Sequence, residues 1–326
     1  MRLLRATSQA AIRVTAPARL HLGFLDLNGA LGRRYGSIGL AVNQPRTSLT
    51  LTEAPEFAAT GCESERALAL IRRYASGSRP GHAYAIDVSE AIPAHAGLGS
   101  GTQLALAIGA ALARIDGREL AAAEIAAFGE RGARSGIGLS AFTCGGFIVD
   151  GGKGGKDAPP PLTLRADFPD EWRVILILDP RSAGVSGEAE ATAFAELPEF
   201  PQAVAARICH LVLMKLVPGL KEVDLNAFGS AVTEIQELVG GYFAAKQGGG
   251  QWTSPAVGRL AFRMRELGAT GIGQSSWGPT GFAFVDGVQA ADRLYHSLFE
   301  AAKADQLDIV VARGRNIGAS IEAVRK

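Results

Sequence analysis

The chain is short of cysteine and has no surplus of positive charge, and each shortage excludes a class of function. Its three cysteines, Cys62, Cys144 and Cys209, stand far apart with no C-x-x-C pair. That spacing argues for a reducing compartment and against a structural zinc site, and each thiol reads as a small buried apolar residue. Lys and Arg number 33 against 32 Asp and Glu, a net charge of +1. Without a basic excess, nucleic acid is not expected as a partner. Residues 1–11 hold two arginines but no apolar stretch of signal-peptide length, and no uninterrupted apolar run is long enough for a bilayer. A cytoplasmic protein without membrane association is expected. No internal repeat is visible. What the chain does have is apolar residue, 47%, and 41 glycines that cluster at a few places. The first suits one large or two ordinary domains. The second marks where backbones come close.

The densest of these clusters is Pro93-Ala94-His95-Ala96-Gly97-Leu98-Gly99-Ser100-Gly101-Thr102-Gln103. It follows a strand-like run, Ala83 to Val88, and leads into Leu104 to Ile115, an Ala- and Leu-rich run of good helix propensity. Strand, glycine-rich loop and helix start make an anion cradle. Glycines let backbone N–H groups turn toward a phosphate, and the first helical turn adds unpaired N–H groups and the positive end of the dipole. Ser100 and Thr102 can cap the helix or touch phosphate oxygens. The plainer reading is a tight turn with an N-cap. A Walker A loop is excluded, because no Lys follows the last glycine.

Along the chain, Ile12 to Leu20 reads as a strand on which Arg19 and His21 share one face. Asn28-Gly29 is a hairpin signal, with strands expected at Gly36–Val42 and Thr47–Thr52. Arg33 and Arg34, between glycines, are either part of a solvated hairpin or a polar wall that grips a carboxylate or phosphate bidentately. Helices are expected at 63–74, 119–131, 188–196, 200–217, 224–239, 255–267 and 289–302, the sixth with Pro255 at its start. Residues 134–140 read as a second glycine- and serine-rich loop. Residues 153–161 read as an exposed linker, which divides the chain into 1–161 and 162–326. Strands are expected at 171–178, 282–285 and 308–312. The stretch Gly271 to Gly281 is a third loop crowded with glycine and hydroxyls. Its Trp277 is either a stacking surface for an aromatic ring or a buried anchor. The alternation of strands and helices gives a two-domain α+β or α/β chain.

Pro93 to Ser100 resembles the P-x-x-x-G-L-G-S-S signature of the GHMP superfamily of small-molecule kinases. Ala16-Pro17-Ala18-Arg19-Leu20-His21-Leu22-Gly23 is similar to that family's first motif, and Gly271 to Phe284 falls where its third lies. The resemblance implies an α+β fold with an N-terminal domain like the second domain of a small-subunit ribosomal protein and a ferredoxin-like C-terminal domain. Three departures point to one branch. Gly101-Thr102-Gln103 replaces the usual continuation, Gly136 to Ser140 carries no Asp base, and Gln274-Ser275-Ser276-Trp277-Gly278-Pro279 replaces the glycine run. With Leu25-Asp26-Leu27-Asn28-Gly29 and Gly32-Arg33-Arg34, these variants resemble the β-ribofuranosylaminobenzene 5′-phosphate synthases. That resemblance implies a decarboxylating phosphoribosyl transfer from phosphoribosyl diphosphate to 4-aminobenzoate in tetrahydromethanopterin biosynthesis. It also implies Mg2+, no ATP, and a homodimer.

The site expected on this basis places the diphosphate and Mg2+ on the loop, from Pro93 through Gly97, Leu98, Gly99, Ser100, Gly101, Thr102 and Gln103. Asp26 is the candidate Mg2+ contact or ribose-hydroxyl partner. Arg19, Arg33 or Arg34 holds the 5′-phosphate or the benzoate carboxylate. His21 or His95 protonates the leaving diphosphate or balances the ring proton. Gln274, Ser275, Ser276, Trp277 and Gly278 line the aromatic pocket. Two alternatives are an ATP-dependent kinase of the homoserine- or mevalonate-kinase kind, and a non-catalytic sugar-phosphate sensor.

Overall fold

Two long strands carry the first half of the molecule. The computed structural model describes residues 10–78, 81–118, 124, 135–155, 159–184, 187–247 and 249–325. Strand β1 (Ala10–Asp26) pairs antiparallel with β2 (Tyr35–Ala54), from Ile12 opposite Leu51 to Asp26 opposite Tyr35. The cause is a strict period of two: Ile12, Val14, Ala16, Ala18, Leu20, Leu22 and Phe24 are all buried. The sequence suggests two strands where β2 is one. The chain stays extended through Asn43–Arg46, and a register shift between Pro17 and Ala18 on β1 absorbs the irregularity.

Strands β3 (Ala58–Gly61), β4 (Ala83–Glu90), β5 (Phe147–Asp150) and β6 (Leu162–Ala166) join them, and β11 (Ser320–Arg325) closes the edge beside β1. The sheet runs β11-β1-β2-β4-β3, with β5 also on β2 and β6 on β5. Helices α1 (Ser64–Ser78) and α2 (Ser100–Ile115) bury Ile71, Leu104 and Ile108 with Leu49, Leu51 and Val88 of the sheet. Residues 137–140, part of the loop expected at 134–140, begin a short helix, α3 (Ile137–Thr143), whose Ile137 and Ala141 are fully buried. Of the helix expected at 119–131 only Glu124, which is helical, is among the described residues, and Arg134 lies outside them.

The second sheet holds β7 (Trp172–Leu178), β8 (Thr270–Gln274), β9 (Gly281–Asp286) and β10 (Asp308–Ala312) in the order β10-β7-β9-β8, all antiparallel. That order is the ferredoxin-like arrangement of a split β-α-β. Alternation on β7 feeds both faces. Ile175 and Ile177 pack with α8 (Pro255–Glu266) and α9 (Gly287–Ala304). Val174 and Leu176 turn the other way, toward α7 (Leu225–Phe243). Before α7 come α4 (Gly187–Glu196), α5 (Gln202–Leu211), a π-helical turn at Val212–Leu216 and α6 (Val217–Lys221). By length and composition alone, Gln202–Lys221 could cross a bilayer. Here Ile208, Leu211, Leu216 and Leu220 are buried in the protein core.

One core cluster runs from Leu20, Leu22 and Phe24 on β1 to Phe228, Ile235 and Phe243 on α7 and Phe282 on β9. The two sheets therefore share their largest apolar contact. Two strands of the first sheet, β6 and β11, come from beyond residue 161, so sheet membership does not follow the 161/162 division.

Candidate active site

The glycine-rich stretch joins β4 to α2 as expected, and its backbone is bent hard. His95, Gly97 and Gly99 have φ of 56°, 78° and 82°, all left-handed. Gly97 is glycine because a Cβ there would lie 2.2 Å from the Ser275 carbonyl oxygen. Gly278 faces it, and a Cβ on Gly278 would stand 2.3 Å from the Gly97 nitrogen. The two loops touch backbone to backbone.

The carbonyl oxygens of residues 95–98 are all spoken for. His95 accepts from the Gly184 amide at 2.8 Å, and Leu98 from the Arg19 amide at 3.1 Å. Ala96 accepts from Thr280 Oγ1 at 2.7 Å. Gly97 accepts from Ser275 Oγ at 2.7 Å and from Arg19 Nη1. Four consecutive acceptors are thus turned into the protein. What the loop presents next is the first turn of α2, where the amides of Ser100, Gly101 and Thr102 have no acceptor within the helix. Arg19 adds a full positive charge, its side chain lying 3.1 to 3.5 Å from the position a Gly99 Cβ would take. A site with its acceptors withdrawn, its donors forward and a guanidinium beside it has the chemistry that suits an anion.

Ser100 and Thr102 make no capping bond; Gly99 is the N-cap. Ser100 through Gln103 are helix, not loop. A Cβ on Gly138 would lie 3.1 Å from Thr102 Cγ2. Gln103 departs from the expected donor role. It is fully buried, and its Nε2 donates to the Gly138 carbonyl at 2.8 Å, tying α2 to α3. Leu98 is buried too, whereas Pro93 and His95 are exposed at the lip.

Ser275 joins three segments, accepting from the His21 amide at 3.0 Å while donating to Gly97. Gln274 is spent on structure, accepting from the Thr253 amide at 2.6 Å and donating to the Ser276 carbonyl at 3.2 Å. Ser276 takes a left-handed φ of 56°. Trp277 is not a stacking surface. It is 1% exposed, packed 4.4 Å from Phe243 and 5.5 Å from Phe194 between ring centroids. The buried-anchor alternative holds, because the shared core needs a large side chain where the loop turns.

His21 lies beside the same junction, 4.5 Å from the Phe24 ring. Burial, with the Arg19 charge second, lowers it from 6.5 to about 3. It is neutral at physiological pH and carries no spare proton for a leaving diphosphate.

Asp26, Arg33 and Arg34 form a second group. They sit at the hairpin end of β1, seven residues and up to ~23 Å of strand from Arg19. Asp26 Oδ1 accepts from the Asn28 and Gly29 amides at 2.7 and 3.0 Å. The Arg33 fork is bidentate, as its residue type suggests, but on the Gly151 and Gly152 carbonyls at 2.6 and 2.7 Å. Arg34 Nε donates to the Leu27 carbonyl at 2.9 Å.

Three residues escaped sequence reading. Thr280 and Gly184 clamp the loop, and only their places in glycine- and hydroxyl-rich loops hint at it. Asp150 is fully buried, and burial raises its carboxyl above the usual range. Its oxygens accept from the Gly136 and Gly152 amides, both at 2.9 Å. A carboxylate thus does reach the 136–140 segment, carried by β5, and it fixes the start of α3.

Residues 64–146 match the GHMP kinases N terminal domain and residues 216–304 the GHMP kinases C terminal domain. A β-ribofuranosylphenol 5′-phosphate synthase of Archaeoglobus fulgidus is 35% identical over 327 residues, covering 95% of this chain and 99% of that protein. The chain belongs to this synthase family, within the GHMP superfamily. A synthase of the same name from Methanothermobacter thermautotrophicus is 33% identical, over 94% of this chain and 97% of that one. Among solved structures, homoserine kinase from Cytophaga hutchinsonii superposes with a TM-score of 0.67 at 16% identity, covering 99% and 100% of the two chains. Mevalonate diphosphate decarboxylase from Enterococcus faecalis gives 0.66 at 17%, covering 98% and 100%. These neighbours share the fold; the synthase family shares the sequence.

Proposed function

We propose that this chain is a decarboxylating phosphoribosyltransferase, a synthase that joins the ribose of phosphoribosyl diphosphate to the ring of a para-substituted benzoate. One observation carries the reading: a loop with four withdrawn carbonyls, a helix start and Arg19, suited to a diphosphate that leaves. Full-length kinship with synthases supports it.

The reaction balances without a proton. The bond from the anomeric carbon to diphosphate oxygen breaks, and its electron pair leaves with the diphosphate. The anomeric carbon bonds to the ring carbon that bears the carboxylate. The ring-to-carboxylate bond then breaks, its pair restores aromaticity, and CO2 departs. A neutral His21 is therefore no obstacle. The protein's work is to hold the diphosphate and stabilise its growing charge, which the Ser100–Thr102 amides and Arg19 do.

Among the described residues, no three His, Cys, Asp or Glu side chains gather as a metal cage. The proposed Mg2+ would arrive with the phosphate oxygens and, bound there, would neutralise the departing charge. Asp26 and Arg33 are proposed to act by shaping the hairpin.

The relatives' name carries a phenol, whereas the sequence resemblance suggests the amine, so both acceptors belong in the test. Protein is incubated with phosphoribosyl diphosphate, Mg2+ and carboxyl-labelled 4-aminobenzoate or 4-hydroxybenzoate, without ATP. Labelled CO2 equal to the diphosphate formed is the expected result. Folded protein that releases neither, or that consumes ATP with an alcohol acceptor, overturns the proposal.

A further inference from the structure

Beside the anion loop lies a small cleft of about 20 Å3, open to solvent on one side. Its walls include His21, Phe24, Phe243, Gln236, Gln247 and Gln251, and among the described residues no ionised side chain lines it. Gln236 is already used, donating to the Leu22 carbonyl and accepting from the Gln274 amide, both at 2.8 Å. Among the described residues, His21 Nε2 and Gln247 Oε1 are buried with no hydrogen-bond partner. His21 is only 3% exposed. A buried polar atom without a partner is costly, and two at one cleft call for a ligand that satisfies both.

The chemistry of that ligand is narrow. Gln247 Oε1 can only accept, so the ligand must donate. The imidazole is neutral, held so by burial, and its Nε2 donates or accepts according to tautomer. With no cation in the walls, a carboxylate or phosphate has nothing to pair with. An uncharged amino or hydroxyl group meets every condition and matches the size of the cleft.

We propose that this cleft receives the para substituent of the acceptor ring, with His21 Nε2 and Gln247 Oε1 reading its amino or hydroxyl group. This assignment rests on the function proposed above and adds the acceptor's orientation. Arg19 and His21 are two residues apart on one strand, about 6.6 Å. A ring anchored by its para group at His21 turns its carboxylate-bearing carbon toward Arg19 and the diphosphate loop. The carbon that must attack is the one facing the anomeric centre.

The test is a binding series with 4-aminobenzoate, 4-hydroxybenzoate and 4-methylbenzoate, the last matching the others in size but offering no hydrogen bond. Titration calorimetry is run on the whole chain in the presence of diphosphate and Mg2+. Wild type should bind the better of the two polar ligands at least about tenfold more tightly than the methyl compound. Gln247→Leu and His21→Phe should each shrink that ratio to about threefold or less while the methyl compound binds as before. A merely structural role would weaken all three ligands together. Gln247 is only partly buried, so Gln247→Leu remains informative if His21→Phe does not fold. A wild-type protein that does not discriminate, or folded variants that keep the full ratio, overturns the assignment even if CO2 release is normal. Discrimination that is lost in the variants, in a protein that releases no CO2 with either acceptor, upholds the cleft as an amino- or hydroxyl-binding site and removes the transferase reading instead.

Discussion

His21 sets a pH dependence that can be worked out in sign. Its folded value is about 3 against 6.5 when free, because burial and Arg19 oppose the charge. Between those values the unfolded chain takes up a proton that the folded chain does not, so stability is full above pH 6.5 and is lost as pH falls toward 3. The size is at most about 5 kcal/mol. Asp150, raised by burial, works in the opposite sense, so a variant comparison is needed to isolate the histidine. Urea midpoints measured from pH 7 to pH 4 should fall less steeply for His21→Phe than for wild type. Parallel slopes would mean that His21 titrates normally. Gly97 and Gly278 make a second test at this scale. Alanine at either meets backbone at 2.2 or 2.3 Å, which a side-chain shift cannot relieve. A loss of about 3 kcal/mol or more is expected, read as a fall in urea midpoint. At the hairpin, Arg33→Ala should lower kcat strongly, and Arg33→Lys should not restore it, since one ammonium cannot span two carbonyls.

Among the elements, α2 does two things at once: it packs the first core and offers its first turn to an anion. An acidic residue there separates the two. Ser100→Asp should leave the helix as stable or add about 0.3–1 kcal/mol through the dipole. The same carboxylate repels diphosphate, so the KM for phosphoribosyl diphosphate should rise at least tenfold with Tm unchanged or higher. Equal KM values would remove α2 from the anion site. This element was legible because glycines, a strand before and an apolar run after are local signals. The short strands β3, β6 and β11 were not. Their residues are mostly exposed or half-buried, and pairing with distant partners, not periodicity, makes them strands. Gln103 and Trp277 were misjudged for the same reason. A glutamine beside a phosphate loop and a tryptophan among glycines look like ligand contacts until α3 and the Phe194–Phe243 pair arrive from elsewhere in the chain. Arg33 was read as holding a carboxylate or phosphate bidentately, and sequence could not show that its fork engages the chain's own carbonyls.

At the scale of the whole molecule, one buried cluster spans both sheets. Leu22 and Phe24 of the first sheet are buried with Phe228 and Phe243 of α7. A fragment ending at residue 161 would expose that surface and lose β6 and β11 as well. It should show no cooperative thermal transition, whereas the full chain should show one; a sharp transition in the fragment would contradict the shared core. The same argument explains why a linker-like composition at 153–161 is a poor guide to where folding units end.

The meeting of Gly97 with Ser275 and Gly278 also has a consequence in time. The two loops are separated by 178 positions, and they come together only when chain ends that far apart have found each other. Closures of such span are slow compared with forming a helix or a hairpin. During refolding from urea, the far-UV signal of α2 and α7 should return first, and catalytic turnover should follow as a later, separate phase. The enzyme's own reaction would then serve as the clock for the last contact to form.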